Sequence, residues 1–230
     1  MGKRIAIVQS NYIPWKGYFD LIQSVDEFIL FDDMQYTRRD WRNRNKIKTP
    51  KGVEWLTIPV QVKGKYYQKI NETRVSDENW AERHWKTIQT YYAKSHFFSD
   101  YSDFLKELYL GCKETLLSKI NYHFLLNICE LLNINTQLTW SHDYGIIDGK
   151  TERLVDLCQK AGATEYLSGP SAQSYIDSQL FIDSHIKLTF MSYDHYPEYT
   201  QIYPPFEHFV SIVDLILNTG PDAKKYMQFP

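Results

Sequence analysis

Ile5-Ala-Ile-Val8, Gln9-Ser-Asn-Tyr-Ile-Pro14, Trp15-Lys-Gly-Tyr-Phe19 and Phe28-Ile-Leu-Phe31, closed by Asp32-Asp33, succeed one another near the start of the chain. The two apolar runs have the length and near-continuous hydrophobicity of strands buried on both faces. The polar loop between them leads into a helical segment, so the order is strand, loop, helix, strand: a βαβ unit. In an open parallel sheet the loop after the first strand borders the ligand crevice, and the next helix presents unpaired N–H groups there. The most cationic segment of the chain follows at once, Arg38-Arg39-Asp40-Trp41-Arg42-Asn43-Arg44-Asn45-Lys46-Ile47-Lys48. A loop, a carboxylate pair and a cationic strand so close together predict a site without naming its reaction.

At 230 residues, with 43% hydrophobic and 23% charged residues, the chain has the size and composition of one globular domain, residues 1–230. A net charge of −2 gives no global field toward nucleic acid or an anionic membrane, so neither is an expected partner. The 18 Tyr, 12 Phe and 6 Trp exceed what is usual, and most are expected in the core. Cys112, Cys129 and Cys158 are odd in number and far apart, which predicts reduced thiols and a cytoplasmic protein. Ile5–Val8 is too short for a signal-peptide core, Ala6 breaks a myristoylation motif, and no run approaches the roughly 18 apolar residues of a membrane span.

Thr49-Pro50-Lys51-Gly52 has turn chemistry and predicts a hairpin joining Asn43–Lys48 to Val53–Val60. Arg42, Arg44, Lys46 and Lys48 would then alternate onto one face, solvated or turned to anions. Helical spacing dominates about 78–133: Trp80, His84, Ile88 and Tyr91 recur on one stripe, and Leu117, Ile120, Phe124, Ile128 and Leu131 on another. Strands are predicted at Thr136–Trp140, Glu165–Ser168 and Ile186–Met191. Helices are predicted at Glu152–Ala161, with Thr151 as N-cap, at Ala172–Asp177 and at Val210–Asn218.

Trp15-Lys16-Gly17-Tyr18 stands where HIGH-motif nucleotidyltransferases carry His-x-Gly-His, with the glycine kept and both histidines replaced by aromatics. A nucleotide loop and a plain βα turn with packed aromatics both fit. Asp32 and Asp33 suit a general base, a metal or a sugar hydroxyl, or else a strand-end ion pair with Arg38 or Arg39. Ser168-Gly169-Pro170-Ser171 suits an anion cradle or a helix cap. His84 on its helical stripe is expected to be a packing residue. His142-Asp143 and Asp194-His195 are adjacent pairs that a strand would point apart. No spacing supports a metal site, and there is no Walker A loop, GxGxxG or GxSxG elbow.

Gln9–Phe19, Phe31–Tyr36, Asn43–Lys48, Trp55–Val60, Thr151-Glu-Arg-Leu154, Tyr166–Ser171 and Phe209–Pro221 together resemble the WbqC-like family in order and spacing. Ser10 departs from the proline usual there, which predicts a looser first loop. The resemblance implies a role in O-antigen or other surface polysaccharide synthesis, beside enzymes of nucleotide-linked amino sugars. The expected fold is α/β: a Rossmann-like parallel sheet, similar to the HIGH-superfamily nucleotidyltransferase core, with a β-hairpin and a central helical block. The expected activity is a transferase passing an acyl or aminoacyl group to the amine of a nucleotide-activated amino sugar. An ATP- and Mg-dependent nucleotidyltransferase or adenylate-forming enzyme, and a non-catalytic nucleotide-sugar binding subunit, are the alternatives. The donor stays open between ATP with Mg and an acyl donor, and a homo-oligomer is compatible with either. Candidate catalytic residues are Asp33 and Asp32. Candidate binding residues are Asn11, Trp15, Gly17, Tyr18, Gln35, Arg38, Arg44, Asn45, Lys46, Arg153, Ser168, Gly169 and Ser171.

Overall fold

The computed structural model describes residues 2–228. The opening unit is β1 (Arg4–Val8), α1 (Lys16–Gln23) and β2 (Glu27–Leu30). The hairpin β3 (Arg44–Thr49) and β4 (Gly52–Thr57) follows, then the helices α2 (Trp80–Tyr92), α3 (Phe98–Leu110) and α4 (Leu117–Leu131). The chain returns to alternation with β5 (Gln137–Trp140), α5 (Glu152–Lys160), β6 (Glu165–Ser168), α6 (Ser178–Asp183), β7 (Lys187–Phe190) and α7 (Ile212–Thr219). Five strands form one parallel sheet in the order β5-β2-β1-β6-β7, and β3 and β4 form a separate antiparallel pair.

Both sheet faces are covered, as the apolar runs require. Ile5, Ile7 and Ile29 pack with Leu154, Leu157 and Cys158 of α5 and Phe181 of α6. Ala6, Phe28 and Leu30 point the other way, into a larger core built from α1, the helical block and α7. Each of the Ile, Leu and Phe side chains, taken from water to full burial, contributes about 1.5–3 kcal/mol, which makes these alternating residues the main determinant of register. The hairpin turn is the predicted one: Thr49 pairs with Gly52, and Gly52 adopts φ +107°, a conformation that a side chain disfavours.

Two predicted local features differ. Thr151 does not cap α5 with its side chain; its hydroxyl accepts the Asp177 N–H at 3.1 Å. The Ala172–Asp177 helix is a short 3₁₀ turn, Pro170–Ser174, and the true helix begins at Ser178, capped by the Asp177 carboxylate accepting from Gln179 N at 3.0 Å.

The helical block positions the loop after β1. Tyr12 leaves that loop and is fully buried among Trp80, His84 and Phe124, with ring centroids 6.0, 5.7 and 5.5 Å away. Its hydroxyl lies 2.9 Å from His84 Nδ1 and 3.0 Å from the Tyr109 hydroxyl. His84 Nε2 donates to the Thr57 carbonyl at 3.1 Å, so the histidine ties helix, loop and hairpin together. Burial lowers the His84 pKa to about 4, below its usual value of 6.5. The unfolded chain therefore takes the proton first on acidification, and this residue's contribution to stability falls between about pH 6.5 and pH 4. The loss reaches about 3 kcal/mol at the acid end. Urea titrations across this range should show wild type losing more stability than His84→Gln; parallel curves would remove His84 as the cause.

Candidate functional site

From β1 the chain places β2 and β5 on one side of the sheet and β6 and β7 on the other, so the connections diverge between β1 and β6. In open α/β sheets that switch point, at the carboxyl ends of the strands, is where ligands bind. A cavity of about 660 Å³ lies there, bordered by Val8 and Gln9 after β1, Ser168 to Ser171 after β6, and Gly149 to Arg153 at the start of α5. Its size falls within the roughly 300–1,000 Å³ of small-ligand pockets.

Of the residues singled out in the sequence, Asn11, Trp15, Tyr18, Arg153, Ser168, Gly169 and Ser171 line this cleft together. Asp32, Asp33, Gly17, Gln35, Arg38, Arg44, Asn45 and Lys46 are not among its lining residues. Both carboxylates lie beyond the last residue of β2 and turn to protein donors instead. Asp32 accepts from Ser10 N at 2.8 Å and from the Ser118 hydroxyl of α4. Burial raises its pKa, and these bonds and the Arg42 charge offset part of that rise. Asp33 accepts from Asn71 Nδ2 at 3.1 Å and the Ser141 hydroxyl at 2.6 Å. Ser10 thus pins the loop rather than loosening it, because a proline would lack the N–H that Asp32 takes.

The cationic strand divides by position. Arg44 stacks its guanidinium 3.9 Å from the Trp55 ring centroid and donates to the Arg39 carbonyl. Lys46 Nζ lies between the same ring, at 5.5 Å, and Trp41, at 5.8 Å. Lys48 is buried and donates to the Pro205 carbonyl. Arg42 precedes β3 and reaches the cleft, where it donates to the Gln9 carbonyl and to Asn11 Oδ1. Asn45 braces the loop from behind, donating to the Tyr12 and Ile13 carbonyls at 3.1 and 3.0 Å. That brace holds Ile13 at φ +36°, a strained value for a β-branched residue of the kind found at functional sites. Gln35 and Arg38 instead serve a peripheral loop, donating to the carbonyls of Tyr66 and Val62.

Gly17 acts through Trp15. A Cβ on Gly17 would meet the Trp15 ring at 2.4 Å, so the glycine lets the indole lie on the first turn of α1. Tyr193 and Tyr196, from the irregular segment after β7, hold that ring edge-on at 5.1 and 5.4 Å. The segment is anchored by the Tyr196 hydroxyl on Asp20, at 2.6 Å, and by Lys16, whose Nζ donates to the Pro197 carbonyl. Burial lowers the Lys16 pKa to about 8.

Sequence reading missed two cleft cations. Arg42 looked like part of the hairpin face, and Lys150 lies in an unremarkable turn before α5. With Arg153 they give the lining three cationic side chains and no Asp, Glu or His. The Arg153 guanidinium contacts Met34 Sδ at 3.2 Å, and its buried Nε has no hydrogen-bond partner. Two lining tyrosines stay protonated: Tyr18 gives its hydroxyl to the Gln9 carbonyl at 2.9 Å, and burial pushes Tyr193 up to about 12. The adjacent histidine pairs lie outside the cleft. His142 and Asp143 approach to 3.7 Å because they share a 3₁₀ turn, not a strand, and Asp194 pairs with Ser192.

An α/β protein with a cation-lined cleft at the switch point of its sheet is the class that fold and site define. The chain belongs to the WbqC-like protein family, whose model matches residues 9–226. It is 52% identical over 227 residues to the uncharacterized protein Rv1507c of Mycobacterium tuberculosis (strain ATCC 25618 / H37Rv), covering 99% of this chain and 98% of that protein. No solved structure gives a significant match. Among the described residues no helix is long and apolar enough to cross a membrane.

Asp32→Ala would strand the buried Ser10 N–H and Ser118 hydroxyl, and should destabilise the protein by about 2–4 kcal/mol. Denaturant unfolding measures this; a loss under 0.5 kcal/mol, on the order of an ordinary surface change, would show that the carboxylate does not hold the loop.

Proposed function

We propose that this protein binds a nucleotide-activated amino sugar in the switch-point cleft and serves as a transferase in surface polysaccharide synthesis, directing an acyl or aminoacyl group to the sugar amine. The observation that carries the binding half is the charge of the lining: Arg42, Lys150 and Arg153 with no carboxylate among them. An arginine held with a buried, partnerless Nε bears a desolvation cost that an anionic ligand relieves. A pyrophosphate supplies that counter-charge, and its oxygens match the planar donors of a guanidinium. The aromatic rings of Trp15, Tyr18 and Tyr175 in the lining supply apolar surface for the rings of such a ligand.

The transfer half rests on family context. The charged groups lining the cleft are all cations, which bind and orient a phosphate-bearing acceptor and stabilise developing negative charge. No lining carboxylate or histidine is present to take the proton of the attacking amine. That favours, as a second reading, a nucleotide-sugar binding subunit whose chemistry is completed by a partner enzyme. An ATP-dependent nucleotidyltransferase would have to work without histidines at Trp15 and Tyr18.

Calorimetric titration with UDP-, dTDP- and GDP-linked amino sugars tests the binding half. Arg153→Gln should weaken the best ligand on the order of 10- to 100-fold through loss of charge-assisted hydrogen bonds. Unchanged affinity would contradict this placement. Mass spectrometry after adding acyl-CoA or aminoacyl donors separates the readings: an acylated sugar nucleotide supports the transferase, whereas tight binding without product supports the binding subunit.

A further inference from the structure

A second hollow, of about 180 Å³, adjoins the cleft and is lined by Asn11, Pro14, Trp15, Trp41, Asn45 and Phe209. It shares Asn11 and Trp15 with the cleft, so the two spaces adjoin at the Trp15 indole. We propose that this hollow is the subsite for the glycosyl ring of the ligand, the nucleoside occupying the larger space beyond Trp15. The inference rests on the nucleotide-sugar reading above and adds where each half of that ligand lies.

Three observations carry it. Trp41 and Phe209 leave 37% and 53% of their surface exposed while lining a recess, an arrangement that water does not favour and a ring with a C–H face does. The walls are held in place before any ligand arrives. The Phe209 and Trp15 rings lie 5.0 Å apart, the Trp41 and Trp55 rings 5.2 Å apart, and the Trp41 carbonyl accepts Tyr12 N at 3.0 Å. The junction has the polar groups that a diphosphate and a hydroxylated ring need. Arg42 lines the cleft and donates to Asn11 Oδ1, which fixes the orientation of that amide at the junction. The hollow has room for one six-membered ring, whereas the cleft takes a nucleoside, and this difference in size sets the orientation of the ligand.

The test compares the full-length protein with Trp41→Ala, Phe209→Ala and Tyr67→Ala, the last altering an exposed tyrosine of a peripheral loop. Each is titrated calorimetrically with UDP, dTDP and GDP and with an amino sugar linked to each, after thermal melts establish that the variants fold. The expected result is that wild type binds a sugar nucleotide more tightly than its parent diphosphate. Trp41→Ala and Phe209→Ala should each lose about tenfold for the sugar form and little for the diphosphate. Tyr67→Ala should match wild type. Equal losses for diphosphate and sugar nucleotide would place the base in the hollow and overturn the inference while leaving the nucleotide-sugar reading intact. So would unchanged affinities in both variants. If wild type binds none of these probes, the nucleotide-sugar reading itself fails, and this inference with it.

Discussion

One buried carboxylate organises the ligand side of this molecule. Asp32 takes the Ser10 N–H from the loop after β1 and the Ser118 hydroxyl from α4. Asn121, on the same helix as Ser118, donates to the Ser10 hydroxyl and to the Arg42 carbonyl, both at 2.9 Å. The knot therefore ties the sheet, the first loop, the helical block and the segment entering the hairpin to one another. Removing any member leaves polar groups unsatisfied in a place that water does not reach, which is costlier than the net worth of the bonds themselves. The reward is position: Asn11, Trp15 and Arg42 all depend on segments that the knot fixes.

The same residue types do different work according to what surrounds them. Arg44 shares with Arg153 a buried Nε without a partner, but its guanidinium stacks on the Trp55 face and donates to a backbone carbonyl, and Lys48 is offset by the Pro205 carbonyl and the charge of buried Asp214. Those cations are already accommodated by the fold. Arg153 is not: beyond a sulfur contact it has no protein partner, and it faces a cavity. An unpaired cation in a partly dry recess costs free energy in the empty state, and that is the physical reason for assigning an anion to the cleft rather than to the more heavily charged hairpin.

Much of this was legible in the residues. The apolar runs from Ile5 and Phe28 form β1 and β2 because both faces of a parallel sheet are covered, and that pattern is local. The placement of Asn11, Tyr18, Ser168 and Gly169 around one cavity follows from the rule that loops at carboxyl ends of strands border the crevice. Asp32 and Asp33 show where local reading stops. A carboxylate after a strand looks the same whether it meets a substrate or a distant Ser118 and Ser141, and only tertiary packing decides. Arg42 was hidden by its charged neighbours, since its separation from the hairpin face depends on β3 starting two residues later. Lys150 and Tyr193 lie in segments without periodicity, where sequence gives no orientation. Gly17 was legible as a close approach, but the close neighbour is Trp15, not a ligand.

The central claim is that the switch-point cleft is an anion site with a ring on either side of Trp15. A crystal structure of the protein grown with a UDP-linked amino sugar addresses it most directly. The account predicts a pyrophosphate between Arg42 and Arg153, with the two ring systems separated by the Trp15 indole. An empty cleft, with the ligand lying instead on the Arg44, Lys46 and Trp55 face of the hairpin, would contradict it.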